Sequence, residues 1–481
     1  MQLTKKYYLI VMKTPFDEMF DDLGKPRSHY KEFSEWLVKQ SDSQMSLKRA
    51  EAELIFRRIG ITFAVYGDEK GTERTIPFDQ IPRIIPAKEW SIIEDGLKQR
   101  VKALNMFLHD IYHDENILKA GLIPQDQIYN NSQYRPEMRF IDLPRNIYAH
   151  IAGIDIIRAG AGEYFVLEDN LRVPSGVSYM VENRKMMMRL FPDLFERHRI
   201  APVEHYPDLL LECLKTAVQS SVKKLNVVVL TPGMFNSAYF EHSYLAQQMG
   251  VELVEGKDLF VKNEHVFMRT TQGPQLVDVI YRRIDDDYLD PLAMRPDSTL
   301  GIPGILNAYR AGNVGISNAI GTGIADDKSI YPYVPEMIEF YLNEKPILKN
   351  VPTFQCRREE DLQYTLANLE KLVVKETHGA GGYGMLIGPL ATKAEIESFR
   401  KYLITHPDKY IAQPTLALST CPTFVEAGVA PRHIDLRPLV LSGKQIKMVQ
   451  GGLTRVALKE GSLVVNSSQG GGTKDTWVLE S

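Results

Sequence analysis

The amino-acid sequence predicts a mixed α/β fold, and three groups of segments lead to this class. Helices predicted at 207–224 and 238–249 alternate with the apolar segments NVVVLTPG and VELVEG, as in a parallel β-α-β unit. IAGIDIIR and EYFVLEDN flank a glycine turn and predict an antiparallel hairpin. LEKLVVKE and MLIGPL predict a second strand pair around the glycine-rich stretch GAGGYG. The chain therefore combines a parallel α/β unit with antiparallel α+β parts.

The elements before the hairpin are predicted from the spacing of their apolar residues. Residues 1–50 are polar and aromatic, and a helix is expected after Pro26. The segment ITFAVYG alternates as a strand does. A long helix is predicted to begin at the capping-box pair Ser91 and Glu94, because apolar residues follow at helical spacing, and Gly121 is expected to end it.

The elements of the later part of the chain are predicted in the same way. VDVIYRRID is typical of a strand that follows the β-α-β unit. ATKAEIESFRKYL has the spacing of a helix, and KYIAQPTLAL and HIDLRPLVL are typical of strands. The C-terminal third therefore differs in character from the parallel unit that precedes it.

The composition excludes several classes of protein. The chain has 481 residues, 44% of them apolar and 25% charged, as in a globular protein of two to four domains. A net charge of −4 provides no basic surface for nucleic acid. Cys213, Cys356 and Cys421 are too widely spaced for a disulfide framework or a zinc cluster, and we expect buried, inert thiols. No segment reaches the ~20 apolar residues of a membrane span and no signal peptide is evident, so we expect a cytoplasmic protein.

The stretch KETHGAGGYGMLIGP fits the pattern G-x-G-x-x-G through Gly379, Gly381 and Gly384. A dinucleotide-binding fold needs a helix directly after these glycines, and the Gly-Pro pair that follows MLI opposes one. Strand–loop–strand context instead indicates a flap whose backbone N–H groups cover phosphates, with Lys375 supplying a positive charge. The alternative is a glycine-rich hairpin with a solvated lysine.

The predicted hairpin carries acidic side chains where a strand is expected to stay apolar. With a symmetric turn, residue 155 lies opposite residue 166. Because side chains alternate along a strand, Asp155, Glu168 and Asn170 then share one face, while Asp169 points away. Two carboxylates and an amide oxygen form a hard-oxygen site that suits Mg²⁺. The alternative is a half-exposed hairpin whose polar face meets solvent.

The flap and the acidic hairpin together resemble the two working parts of an ATP-grasp ligase. GIDIIRAGAGEYFVLEDNLRVPSG is similar to the last core hairpin of that superfamily, and LVVKETHGAGGYGM is similar to its lysine-bearing flap. In the usual order the flap precedes the hairpin, whereas here the hairpin comes first. GLKQRVKALNMFLHDIY, DDKSIYPYVPEMI, STCPTF and PRHIDLRP are also similar to blocks of the permuted group. The chain therefore resembles the circularly permuted ATP-grasp proteins of type 2 along nearly its whole length.

This resemblance implies a circularly permuted ATP-grasp fold with a Rossmann-like pre-ATP-grasp domain. The expected divisions are an N-terminal helical and β segment that includes the permuted end of the core (1–200, with the metal hairpin at 151–176), the pre-ATP-grasp α/β domain (201–345), the lid with the glycine loop (346–415) and the start of the core (416–481).

The resemblance also implies roles for single residues. Asp155, Glu168 and Asn170 would hold Mg²⁺. The nucleotide would be bound by two lysines, by the flap glycines and by a strand that meets adenine. This implied set is Lys375, Lys328, Gly381, Gly382, Gly384, Ala412 and Gln413.

Four arginines are candidates for the chemistry and for the substrate. Arg437 and Arg455 would neutralise a transferring phosphoryl group, which makes them the predicted catalytic residues; each could instead be a structural ion-pair partner. Arg282 or Arg283 would hold a substrate carboxylate, because both end a strand of the α/β unit where open sheets bind ligands.

The function implied is an ATP- and Mg²⁺-dependent carboxylate–amine ligase that forms an amide or peptide bond through an acyl phosphate. Its partners would be small-molecule or peptide carboxylates and amines, with neither nucleic acid nor membrane, and a homo-oligomer or a partner protein stays open. The alternatives are an ATP-dependent phosphotransferase and an ATP-binding scaffold without catalysis. An NAD-dependent enzyme is opposed by the segment that follows Gly384.

Overall fold

Five β-sheets with helices packed on them form the described part of the chain, which is residues 15–64, 73–219, 224–379, 384–466 and 470–480 of a computed structural model. The predicted α/β class is confirmed. The helices within these residues are, in chain order, α1 (Lys31–Leu37), α2 (Asp42–Ile59), α3 (Ala87–Tyr112), α4 (Asn116–Lys119), α5 (Gln125–Tyr129), α6 (Val177–Leu190), α7 (Pro192–Arg197), α8 (Tyr206–Leu214), α9 (Tyr239–Met249), α10 (Ile305–Arg310), α11 (Gly323–Asp326), α12 (Val334–Leu342), α13 (Glu359–Ala367) and α14 (Lys393–Thr405).

The strands are short, and several belong to hairpins. In chain order they are β1 (Thr62–Ala64), β2 (Glu73–Thr75), β3 (Phe78–Ile85), β4 (Ile151–Gly160), β5 (Glu163–Asn170), β6 (Val227–Leu230), β7 (Glu252–Val254), β8 (Leu259–Lys262), β9 (His265–Met268), β10 (Gln275–Val277), β11 (Val279–Arg282), β12 (Gly315–Ser317), β13 (Lys349–Asn350), β14 (Phe354–Gln355), β15 (Leu372–Glu376), β16 (Leu386–Ile387), β17 (Tyr410–Pro414), β18 (Thr420–Val425), β19 (Gly428–Arg437), β20 (Leu439–Ser442), β21 (Ile446–Lys447), β22 (Leu453–Val456) and β23 (Gly472–Val478).

The largest sheet has ten strands and joins segments that are far apart in the sequence. Its main path runs β13-β5-β4-β19-β22-β23-β3. Strand β4 also pairs with β20, and β23 pairs in parallel with β3. Strands from the early and the late parts of the chain therefore share one sheet, with the acidic hairpin β4–β5 beside β19 and β20.

The predicted parallel unit is present as a four-stranded sheet in the order β12-β11-β6-β7, in which every pair is parallel. Helix α9 matches its predicted range closely. The helix predicted at 207–224 is shorter, because α8 ends at Leu214 and a 3-10 turn follows. Strands β6, β11 and β12 are buried on both faces, as expected for near-continuous apolar segments, whereas the edge strand β7 begins with the exposed Glu252.

A separate antiparallel sheet, β14-β17-β15-β16, carries the glycine-rich stretch between β15 and β16. The predicted strand–loop–strand arrangement is confirmed. After Gly384 the chain enters β16 and then a 3-10 turn at Gly388–Leu390, so the dinucleotide alternative lacks the helix that it requires.

The long helix α3 begins at Ala87, four residues before the predicted start. Pro86 is extended and directly follows β3, so the helix begins there and Ser91 lies within its first turns rather than at its N-cap. The helix ends at Tyr112, well before Gly121, and α4 follows. No helix in the described ranges is both long and apolar enough to cross a membrane.

Candidate active site

The acidic hairpin places Asp155 directly opposite Glu168. The predicted partner of Asp155, residue 166, is therefore wrong by two positions. The shift has two causes. The strands extend further than expected, which leaves a two-residue turn at 161–162, and the pairing of β4 with β5 is irregular at two places. Because a shift by two residues preserves the alternation of side chains, Asp155, Glu168 and Asn170 still share one face.

Asp169 points to the other face of β5, as predicted. Arg100 binds it through Nε (2.6 Å) and Nη2 (2.5 Å), and both side chains are buried. This bidentate pair fixes helix α3 to the hairpin. It is a structural contact and takes no part in the cavity described below.

Both oxygens of Asp155 accept hydrogen bonds from arginines. Arg437 donates through Nε (2.5 Å) and Nη2 (2.8 Å), and Arg455 donates through Nη2 (2.8 Å). Arg455 also pairs with Asp435, which lies directly opposite it on β19. Burial raises the pKa of Asp155, but the two guanidinium groups outweigh burial and hold it well below its usual range. The two arginines predicted to be catalytic are therefore fixed beside the acidic hairpin.

Two lysines approach the same face from the side of the flap. Lys328 Nζ lies 2.6 Å from Glu168 Oε1 and donates to the carbonyl oxygen of Gly379 (2.6 Å), where the flap loop begins. Lys375 Nζ donates to Gln413 Oε1 (2.9 Å). Burial lowers the pKa of Lys375 to about 8; Glu168 opposes this shift and Lys328 adds to it. The hairpin and the flap, distant in the sequence, converge here.

A cavity of about 700 Å³ connects these side chains, a size typical of small-molecule sites. It extends past the arginines to Tyr179, His242 and Arg283. The predicted residues that line it are Asp155, Glu168, Asn170, Lys328, Lys375, Gln413, Arg283, Arg437 and Arg455.

The oxygen donors of the hairpin differ in how well they suit a magnesium ion. Asn170 donates through Nδ2 to the carbonyl oxygen of Gly153 (3.1 Å), which orients its amide and leaves Oδ1 for a cation. Glu168 shares only one oxygen with Lys328. Asp155 offers about four acceptor positions, and three of them are taken by arginine N–H groups. Glu168 and Asn170 therefore fit Mg²⁺, whereas the role predicted for Asp155 competes with its arginine contacts.

The strand pairing around Ala412 argues against the predicted contact of this residue with adenine. Ala412 lies within β17 between two neighbouring strands, opposite Phe354 on one side and Val374 on the other, and it is fully buried. The cavity is lined instead by the four residues that follow, 413–416. Pro414 ends the strand, since it lacks an N–H for the ladder, and this signal was available in the sequence.

Of the three flap glycines predicted to bind the nucleotide, one lies within the described residues. Gly381 and Gly382 lie outside the described residues. Gly384 has φ +69°, a left-handed conformation that favours glycine. At the base of the flap, His378 Nδ1 lies 2.5 Å from Asp327 Oδ2, and this hydrogen bond raises the pKa of His378. Both residues line the cavity and were missed, although each stands in a stretch already singled out, KETHG and ADDKS.

The two candidate substrate arginines have different environments. Arg282 is completely buried, and its guanidinium donates to the carbonyl oxygens of Asn318, Ile284 and Ala319 and pairs with Asp286. It braces the parallel sheet and does not line the cavity, so the interpretation of Arg282 as a substrate ligand is wrong. Arg283 lines the cavity.

The model of the family described as circularly permuted ATP-grasp type 2 matches residues 82–457. This protein belongs to that family. Among its relatives, an uncharacterized protein of Synechocystis sp. is 53% identical over 97% of each chain. A Frankia casuarinae protein named "Putative glutamate–cysteine ligase 2-2" is 40% identical, over 97% of this chain and 54% of that one.

A solved structure is similar in overall fold at low sequence identity. The glutathione synthetase-like effector from Globodera pallida, in its apo form, superposes with a TM-score of 0.57 at 11% identity, over 92% of this chain and 99% of that chain. This likeness concerns the fold. With the family match, it confirms the predicted permuted ATP-grasp type of fold.

The low pKa of Lys375 gives a prediction for nucleotide binding. A triphosphate beside the ammonium favours its charged form and raises its pKa, so ATP binding at pH 8 should take up as much as about half a proton, and affinity should fall as the pH rises above 8. Calorimetry at pH 8 in two buffers of different ionisation enthalpy measures this uptake. In Lys375→Arg, which stays charged, the uptake should vanish; an unchanged uptake would assign it to another group.

Proposed function

We propose that this protein is an ATP- and Mg²⁺-dependent carboxylate–amine ligase that acts through an acyl phosphate. The observation that carries the proposal is the convergence, in one cavity, of an oxygen-donor pair (Glu168 and Asn170), two lysines (Lys328 and Lys375) and an arginine pair. The family membership supports ATP as the nucleotide, and the name of the Frankia relative supports amide formation.

The side chains divide the work of the proposed reaction. Lys375 and Lys328 would bind the phosphates, and residues 413–416 would line the base pocket. Glu168 and Asn170 would hold Mg²⁺, which would supply positive charge to neutralise the phosphates. Asp155 would mainly fix the arginine pair.

Arg437 and Arg455 would stabilise the charge that develops when the substrate carboxylate attacks the γ-phosphorus and ADP leaves. The amine then attacks the acyl carbon, phosphate leaves, and the amine nitrogen loses its proton. No protein nucleophile is needed, and the three cysteines are buried, free thiols with raised pKa values. Rate enhancement would come from positioning and charge neutralisation.

A combined assay of ADP and free phosphate tests the proposal. Amino acids, dipeptides and polyamines are supplied in carboxylate–amine pairs with ATP and Mg²⁺. A ligase should release equal amounts of ADP and phosphate only when both partners are present. ADP without phosphate would instead indicate a phosphotransferase. ATP–Mg²⁺ binding without ADP release from any pair would indicate a scaffold.

Glu168→Gln should remove the part of the ATP-induced thermal stabilisation that depends on Mg²⁺, because a neutral amide binds the cation far more weakly than a carboxylate does. Differential scanning fluorimetry with ATP, with and without Mg²⁺, measures this. Glu163→Gln, at the exposed start of the same strand, is the matched control and should retain the full effect. Retention of the effect in Glu168→Gln would remove Glu168 from the metal site.

A further inference from the structure

We propose that the end of the cavity at Arg283 and Tyr179 binds a second carboxylate of the acid substrate, so that the protein acts on bifunctional acids. The carboxyl group that reacts would lie at Arg437 and Arg455, and the other would anchor the molecule at Arg283. This inference rests on the proposed function and names its substrate class.

The guanidinium of Arg283 forms close hydrogen bonds through Nη1, whereas its edge formed by Nε and Nη2 is open, meaning that it has no close hydrogen-bond acceptor. Its Nη1 donates to the carbonyl oxygen of Pro174 (2.8 Å) and to the hydroxyl of Tyr281 (2.9 Å). Its Nη2 has only long contacts, to Val173 O at 3.4 Å and Glu241 Oε1 at 3.5 Å. Among the described residues, Nε has no hydrogen-bond partner although it is buried. The Nε–Nη2 edge therefore lacks a close acceptor.

The same edge binds a carboxylate at two other arginines of this protein, the buried Arg100 and the half-buried Arg437. Arg100 binds Asp169, and Arg437 binds Asp155, each through Nε and Nη2 at 2.5–2.8 Å. This parallel, planar geometry is the one that suits a carboxylate. Arg283 also lines the cavity, and a ligand carboxylate bound there would supply the partner that its Nε–Nη2 edge lacks.

A second unpaired donor lies at the same end of the cavity. The hydroxyl of Tyr179 is buried and has no hydrogen-bond partner among the described residues, and its ring stacks on Phe240 of helix α9. An unpaired buried hydroxyl costs free energy, and Tyr179 lines the cavity, so a bound acceptor there would pair it. Tyr179 and Arg283 thus supply two donors for one anionic group.

Helix α9 adds a favourable field for an anion. Residues 236–238, directly before its first turn, line the cavity, and Ala238 at the N-cap position has no polar side chain to cap the helix. The partial positive charge of an N-terminus favours a carboxylate nearby. His242, in the first turn of this helix, also lines the cavity, and Thr231 Oγ1 bonds its Nδ1 (2.9 Å), which leaves Nε2 for a ligand.

Glu241 balances the charge of Arg283 and lies beside its open edge, where its Oε1 is 3.5 Å from Nη2 and, among the described residues, is also buried without a hydrogen-bond partner. Its Oε2 accepts hydrogen bonds from Gly176 N (2.8 Å), Ser178 N (3.1 Å) and Ser178 Oγ (2.9 Å). Three donors therefore already stabilise this carboxylate, while its other oxygen stays 3.5 Å from Arg283. The open Nε of Arg283 remains to stabilise an added negative charge, whereas the first turn of α9 already carries Glu241.

The distance between the two anion sites limits the length of the substrate. Arg283 Nη1 binds the carbonyl oxygen of Pro174, and Arg437 Nη1 binds that of Ser175 at 3.3 Å. The two guanidinium groups thus bind the carbonyl oxygens of consecutive residues, and one Cα–Cα step plus two hydrogen bonds limits their separation to roughly 10 Å. A chain of about three to six carbons between and including the carboxyl groups would connect them.

Calorimetric titration of the full chain, loaded with Mg²⁺ and a non-hydrolysable ATP analogue, tests this inference. The probes are malonate, succinate, glutarate, adipate, L-aspartate and L-glutamate, each compared with the monocarboxylate that lacks the second acid group. At least one diacid should bind about tenfold or more tightly than its counterpart, and Tyr179→Phe should lower that preference about tenfold.

Tyr206→Phe is the matched control, because Tyr206 also has a buried, unpaired hydroxyl but does not line the cavity; it should retain the preference. Equal binding of all diacids and monoacids, or equal behaviour of the two tyrosine variants, would overturn this inference and leave the ligase proposal intact. Failure of the ATP analogue to bind would overturn the ligase proposal and, with it, this inference.

Discussion

Replacing Asp155 with asparagine is expected to destabilise the ligand-free protein by about 3–5 kcal/mol. Arg437 and Arg455 both donate to its carboxylate, in surroundings that exclude most water. Removing that charge leaves two guanidinium groups at a buried site with Asp435 as the remaining close carboxylate. The sign of this stability change separates two roles. If the carboxylate of Asp155 served only to bind a cation, it would repel Glu168 in the free protein, and its removal would stabilise the fold.

Urea unfolding followed by tryptophan fluorescence measures this change. Trp477 is buried on β23, beside β22, which carries Arg455, so its emission reports on the relevant sheet. Glu163→Gln, at the exposed start of β5 beside the turn of the same hairpin, should leave the transition unchanged. A stable Asp155→Asn protein would show that the arginine contacts are dispensable and would favour the metal role.

The Lys375→Ala variant is expected to bind ATP–Mg²⁺ about 10- to 100-fold more weakly than the wild type. A hydrogen bond to a charged group contributes about 1.5–3 kcal/mol, and 1.4 kcal/mol corresponds to tenfold in affinity. The fold itself should not suffer, because burial already disfavours the ammonium, as the pKa of about 8 indicates.

The measurement is the dissociation constant from calorimetry at pH 7. Lys371→Ala is the matched control, since Lys371 precedes the same strand but its side chain is 54% exposed and pairs only with Glu370. If Lys375→Ala and Lys371→Ala both kept the wild-type dissociation constant, Lys375 would be excluded from the phosphate site.

From the sequence we could predict the parallel sheet, both hairpins and the shared face of Asp155, Glu168 and Asn170, because these depend on local spacing. The register of the hairpin was wrong because the length of a glycine turn decides it, and 159–162 allowed more than one turn. The predicted shared face was still correct, because a shift by an even number of residues preserves the alternation of side chains.

Contacts between residues that are distant in the sequence could not be predicted from local spacing. Arg437 and Asp155 are 282 positions apart, and nothing near either one indicates that they pair. Arg282 and Arg283 are adjacent and chemically identical, yet the alternation of β11 and the chain after it sends one into the interior and the other to the cavity. Tyr179 and His242 gave no signal, since a lone tyrosine or histidine in a helix is common.

The order in which the strands of the ten-stranded sheet occur along the chain has a consequence for biosynthesis. The ribosome makes β4 and β5 long before β19, β20 and β22, so Asp155 leaves the exit tunnel without the two arginines that later neutralise it. Its carboxylate then remains hydrated while the intervening segments fold. Pairing of such distant strands is slow, because a long loop must close first. The central sheet can therefore close only after β22 has left the ribosome, and chaperones would meet the nascent acidic hairpin while its edge is still unpaired.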